Sequence, residues 1–156
     1  MTGTEYADLV AGYVATRFAA RGVAVYREIK IGKSIIGKNR CLDILCVCDD
    51  RAFAIECKFQ ESQGTVDEKI PYAIDDLRAL PLTGCIVYAG QGFSSGVQHM
   101  LGASPHAAYC LPAPGQAEST TDTWELDHLL AVHFGWWDVL VGRKKPVRPH
   151  AGGLLT

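Results

Sequence analysis

The chain has 156 residues, 48% of them apolar and 21% charged, with a net charge of −2. This is ordinary globular composition at one domain's length, enough to bury about 70% of the unfolded surface without disulfide or metal support. It excludes a disordered tail, a collagen-like repeat, a coiled coil and a chain that binds nucleic acid through overall charge.

In chain order, Tyr6, Leu9, Val10, Tyr13, Val14 and Phe18 recur at helical spacing. Thr2 and Glu5 form a capping-box pattern at the start, and Gly22 is placed to stop the helix. Val23 to Lys30 is predicted as a strand, and Ile31 to Asn39, with Gly32 and Gly37, as a loop or hairpin tip. Two apolar runs follow, Cys41 to Cys48 and Ala52 to Phe59, with Asp49-Asp50 as the turn between them. Thr65 and Glu68 form a second capping-box pattern, ahead of helical spacing at Ile70, Ala73, Ile74, Leu77 and Leu80. Pro71 is expected to kink that helix or to begin it. Gly84 to Ala89 reads as a buried strand, Val97 to Leu101 as a brief helix, and Ala107 to Leu111 as a further strand. Trp124 to Phe134 reads as an amphipathic helix stopped by Gly135. Early strands joined by turns and later ones by helices predict an α/β fold: a central mixed sheet flanked by helices. A single domain is expected over 1–142, with a basic, mobile tail over 143–156.

No apolar run nears the roughly 20 residues that cross a bilayer. The opening Met1-Thr2-Gly3-Thr4-Glu5 lacks the charged and apolar regions of a secretory signal, so a cytoplasmic protein without membrane contact is expected. The six cysteines at 41, 46, 48, 57, 85 and 110 form no C-x-x-C pair and read as reduced, mostly buried thiols. A zinc site at Cys41, Cys46 or Cys48 is the sharper alternative, but no second pair follows at ligand spacing.

The informative charges lie inside the apolar runs, where unpartnered charges are rare. Asp43 sits in the first run, and Glu56 and Lys58 sit in the second. Glu56, Lys58 and Gln60 are spaced by two and share one face of the sheet. A two-residue turn at Asp49-Asp50 puts Asp43 opposite Glu56, and a four-residue turn through Ala52 puts it opposite Lys58. Either way the three groups share a face, with Cβ atoms roughly 5 Å apart. An odd-length turn breaks this register. Two carboxylates that close repel by a few kcal/mol at an effective dielectric near 20. Lys58 offsets part of that, and a hard divalent cation such as Mg²⁺ offsets more. Such a layout suits metal-assisted phosphodiester hydrolysis.

Asp43, then twelve residues, then Glu56-Cys57-Lys58 at a strand end resembles the PD-(D/E)XK nuclease superfamily. The likeness covers about residues 5 to 90 and includes the helix, three strands, helix, strand order. Gln60 to Tyr72 is similar to the helix that follows the motif in some restriction-type members. The resemblance implies a restriction-endonuclease-like fold, an αβββαβ core here with a C-terminal helical extension. It implies a Mg²⁺-dependent nuclease, with Mn²⁺ able to substitute, in which Asp43 and Glu56 bind the metal and Lys58 is the catalytic lysine. Gln60 would help position the phosphate or the water, and Glu5 would match the acidic residue many members carry on the first helix. Leu42 stands where the motif has proline.

Other candidates carry plainer readings. Glu5 is also explained by its cap, and Gln60 as a polar strand end. Lys69 and Tyr72 read as surface residues of their helix, and Trp124, Phe134, Trp136 and Trp137 as core or interface. His128 and His133 face different sides of theirs. Arg27, Lys30, Lys33, Lys38 and Arg40, against Glu28 alone, form a basic run leading into the Asp43 strand, and Lys30, Lys33, Lys38 and Arg40 are expected to contact the phosphate backbone. The expectation is an endonuclease acting on DNA rather than RNA. The alternative is a catalytically silent nucleic-acid-binding or assembly subunit on the same fold. Sequence specificity would need a homodimer, a partner protein, or the loops at Ile31–Asn39 and Gly90–Ser95.

Overall fold

A computed structural model describes residues 1–150. The helices are α1 (Gly3–Arg17), α2 (Val66–Arg78), α3 (Ser95–Ala103), α4 (Trp124–Phe134) and α5 (Trp137–Val141). The strands are β1 (Ala24–Lys33), β2 (Asn39–Cys48), β3 (Arg51–Phe59), β4 (Gly84–Ala89) and β5 (Ala107–Tyr109). They form one sheet in the order β1-β2-β3-β4-β5. The first three strands are antiparallel, and β4 and β5 join parallel to β3. The connections dictate this: a tight turn can only reverse a strand, whereas α2 and α3 provide the crossovers that parallel neighbours need. The chain thus has the expected mixed sheet with flanking helices.

Each face of the sheet is covered differently. On one face Tyr6, Val10 and Val14 of α1 and Phe18 just after it, with Leu126 and Leu130 of α4, bury Ile44, Cys46, Phe53, Ile55, Cys85 and Val87. Each fully buried aliphatic side chain of this kind stabilises the fold by roughly 1.5–3 kcal/mol. The other face has a smaller cluster, in which Ile70, Ile74 and Leu77 of α2 and Leu101 of α3 pack with Ile86 and Phe93. Asp43, Glu56 and Lys58 belong to this second face, where apolar cover is incomplete.

Local expectations hold unevenly. The Thr2–Glu5 box forms in both directions, at 2.7 Å from the Thr2 N–H and 3.1 Å from the Glu5 N–H. The second box does not. Thr65 is itself helical (φ −78°, ψ −10°), so its hydroxyl makes no cap. The Val66 N–H donates instead to the Gln60 side-chain carbonyl at 3.0 Å. Helix α2 runs through Pro71, held by its buried stripe of Ile70, Ile74 and Leu77. Strands β1 and β2 extend further than predicted, which shrinks the hairpin tip to Ser34–Lys38. The short helix α5 was not predicted; Trp136 before it lies between Phe18 and Phe134. Residues 143–150 of the expected tail carry no helix or strand, and residues 151–156 lie outside the described residues. No described helix is long and apolar enough to cross a membrane.

Candidate active site

The site is set by the turn between β2 and β3. Asp49 and Asp50 both have positive φ, 49° and 64°. This is the two-residue hairpin turn whose twist matches that of the strands, and aspartate tolerates the left-handed region better than most residues. The pairs run from Cys48–Arg51 to Ile44–Ile55, so the next step places Asp43 opposite Glu56. The backbone ladder ends there. The Asp43 carboxylate moves into the gap and accepts the Cys57 N–H at 2.8 Å.

Burial, first, and then the Asp43 carboxylate within hydrogen-bonding reach raise the Glu56 pKa to about 8. Lys58 pulls the other way, and Asp76 adds to the rise. Glu56 therefore resists ionising near neutrality unless a cation offsets its charge. Two close carboxylates, one of them half-buried and reluctant to ionise, fit a hard divalent cation in chemistry and charge. They are a pair only: among the described residues no third Asp, Glu, His or Cys completes a metal-holding group.

A cleft of about 160 Å³ opens beside them, lined by Glu56, Lys58, Lys69, Tyr72, Ala73 and Asp76. Lys69 and Tyr72 are thus part of its wall rather than only a helix surface. Spacing alone hides this, because the solvent face of α2 and the face over Glu56 adjoin. Asp76 accepts from Arg40 at 2.7 Å and from the Ile35 N–H at 3.2 Å. Arg40 is only 5% exposed, so its guanidinium is committed to this buried ion pair. That differs from the phosphate contact expected of it. Lys30, Lys33 and Lys38 are exposed on the hairpin, as a basic run facing solvent requires.

Gln60 is also buried, and its amide is fully used. It donates to the Gly92 carbonyl at 2.8 Å and to Asp67 at 3.2 Å, besides accepting from Val66. It ties the exit of β3 to the start of α2 and to the loop after β4, and it is not in the cleft wall. That loop lies so close that a Cβ on Gly90 would sit 2.2 Å from the Gln60 carbonyl oxygen. Glu5 stays on its cap at the start of α1, and no hydrogen bond or ion pair joins it to Asp43, Glu56 or Lys58.

Of the residues of α1 and β1 that reach the site, Asp8 was not singled out from the sequence, and Arg27 was read only as part of the basic run beside Glu28. Asp8, one turn after Glu5, accepts from Arg27 at 2.8 Å, and Arg27 also donates to the Asp43 carbonyl. Across from Asp43 in register lies Glu28, which makes no strand pair and has φ of 55°. The left-handed residue takes the backbone out of the ladder, and the Arg27 guanidinium serves the carbonyl that the ladder would have served. The helical period placing Asp8 beside Glu5 was the available signal.

A model of the PD-(D/E)XK nuclease superfamily domain matches residues 2–137. Among solved structures, one titled "Crystal Structure of Protein of Unknown Function AF1548" is similar at 19% identity and a TM-score of 0.41. The match covers 62% of this chain and 53% of that one, so the chain spans about half of that protein's length. No curated protein matches. With the family model spanning nearly the whole described chain, and the acid pair and lysine sharing one face of two neighbouring strands, this protein belongs to the PD-(D/E)XK nuclease superfamily.

Proposed function

We propose that the protein is a metal-dependent nuclease that hydrolyses phosphodiester bonds of DNA. The observation that carries the reading is the pairing of Asp43 with Glu56 beside Lys58, at the mouth of a cleft in an otherwise apolar sheet. A structural ion cluster would be a poor reason for it, because apolar replacements of buried ion pairs are often as stable.

Asp43 and Glu56 would hold a Mg²⁺ ion, for which Mn²⁺ can substitute. When bound, the ion supplies charge neutralisation at the phosphate and a more acidic water. The Cys57 N–H and the Arg27 contact fix the orientation of Asp43. Lys58 presents its ammonium into the cleft, where it orients the attacking water and stabilises charge on the phosphate. Lys69 and Tyr72 offer a second cation and a hydroxyl from α2 to the same space. Gln60 acts through the backbone, by fixing the β3–α2 connection. Lys30, Lys33 and Lys38 supply phosphate contacts outside the cleft.

The test is cleavage of a labelled panel of DNA and RNA substrates with Mg²⁺, Mn²⁺ or EDTA. Wild type is expected to cut DNA only with metal. Lys58→Ala and Asp43→Asn are expected to lose at least a hundredfold in rate at unchanged melting temperature. No cutting by wild type, or equal cutting by the variants, favours the silent binding subunit instead.

A further inference from the structure

We propose that the outer half of the β1–β2 hairpin is a groove-reading ribbon. Its two strands enter the major groove of B-form DNA, and its Ile35–Ile36 tip rests against the bases. This rests on the nuclease reading and deepens it by naming double-stranded DNA as the substrate class.

The ribbon is defined by where pairing stops. Strand β2 pairs with β3 only over Ile44–Cys48. Its earlier part pairs with β1 alone, through Ile29–Leu42, Lys30–Cys41 and Lys33–Asn39. This stretch therefore continues past β3 as two strands, with Leu42 and Arg40 buried at its base and Lys33, Ile35, Ile36 and Lys38 exposed at its outer end. The major groove of B-DNA is about 12 Å wide and admits a two-stranded ribbon, whereas that of A-form RNA is too deep and narrow.

Chemistry along the ribbon matches a groove. From Ile29 to Leu42 there are four basic residues and no acidic one. Lys30, Lys33 and Lys38 are exposed, and among the described residues none of them is in an ion pair. At the tip, Ile35 is 50% exposed and Ile36 60%. Scattered apolar residues on a surface need no explanation. Two adjacent isoleucines at a turn, where glycine and short polar residues are usual, flanked by cations, are a different arrangement. Cations suit the phosphates on either rim, and an aliphatic tip suits the thymine methyls and base edges on the floor.

The tip is also held in place. The turn closes through the Ser34 N–H to Lys38 at 2.7 Å and the Gly37 N–H to Ser34 at 2.9 Å. The Ile35 N–H and Arg40 both bind Asp76, whose side chain lines the cleft beside Glu56 and Lys58. A ribbon fixed to the cleft wall loses little freedom on binding and places the reading and cutting surfaces side by side.

The experiment measures affinity by anisotropy in EDTA, using the full chain, a labelled DNA duplex and an RNA duplex of the same sequence, across a salt series. Wild type is expected to prefer DNA by tenfold or more. Ile35→Ser with Ile36→Ser is expected to weaken DNA binding about tenfold with no change in salt slope. RNA binding should not move. Lys33→Ala with Lys38→Ala is expected to reduce the slope by about 2. Both pairs are exposed, and melting temperatures should stay at the wild-type value. Unchanged DNA affinity in the isoleucine variant overturns the ribbon. So does an equal loss on RNA, or a preference for phosphatidylserine vesicles that the isoleucine variant abolishes. If DNA is cut in the Asp43-dependent manner yet the isoleucine variant binds normally, the ribbon fails and the nuclease stands. If nothing is cut but the salt signatures appear, the nuclease fails and the ribbon stands.

Discussion

Glu56 shows how one side chain can hold opposed demands. It sits in a strand whose neighbours are apolar, beside Asp43, and both facts favour its neutral form. Its pKa of about 8 in the fold, against an ordinary value near 4.5, makes a signed prediction. Its contribution to stability is complete below the ordinary value and is lost as pH rises through about 8. In EDTA, the melting temperature should therefore fall between pH 5 and 8.5 more steeply for wild type than for Glu56→Gln. The variant should be the more stable of the two at pH 8.5. Parallel melting curves would falsify the placement of this carboxyl. The presence of Asp43, Glu56 and Lys58 on one face was legible from alternation and turn length. The role of Arg27 was not, because it depends on Glu28 leaving the ladder, and backbone conformation at a non-glycine residue leaves no mark in the sequence.

At the scale of elements, the positions that sequence patterns captured are those decided within a few residues. The Thr2–Glu5 cap and the Asp49-Asp50 turn are local and form as expected. The Thr65 cap is the same pattern as the Thr2 cap, yet it fails, because Gln60, just past the preceding strand, satisfies the helix end instead. That competition is tertiary and invisible to a window of neighbours. Buried polar knots of this kind join elements elsewhere too. The Tyr13 hydroxyl of α1 donates to the fully buried Asp127 of α4 at 2.8 Å and lies 3.1 Å from Thr123. Tyr13→Phe leaves that carboxylate without its phenolic donor. The expected cost is about 1–3 kcal/mol of unfolding free energy, read from urea denaturation with an unchanged m-value. A change below about 0.5 kcal/mol would show that another donor serves Asp127.

For the whole molecule, the mixed sheet could be anticipated because turn-joined and helix-joined strands differ so plainly in sequence. The uneven cover of its two faces could not, since it depends on α2 crossing above Glu56 at a distance that leaves a cleft. The well-covered face has a further property. Cys46, Cys85 and Cys110 are at most 1% exposed within it, and burial pushes the Cys46 thiol up to about 12. Cys41, by contrast, is exposed on β2. The chain thus contains its own chemical stopwatch. A thiol reagent should label Cys41 at once and the three core thiols together, at a rate set by opening of the sheet against α1 and α4. Mass spectrometry of the labelling time course would count these events directly. Three unrelated rates would mean that the face opens piecemeal, whereas one shared rate makes the α1–α4 side a single cooperative shutter behind the candidate site.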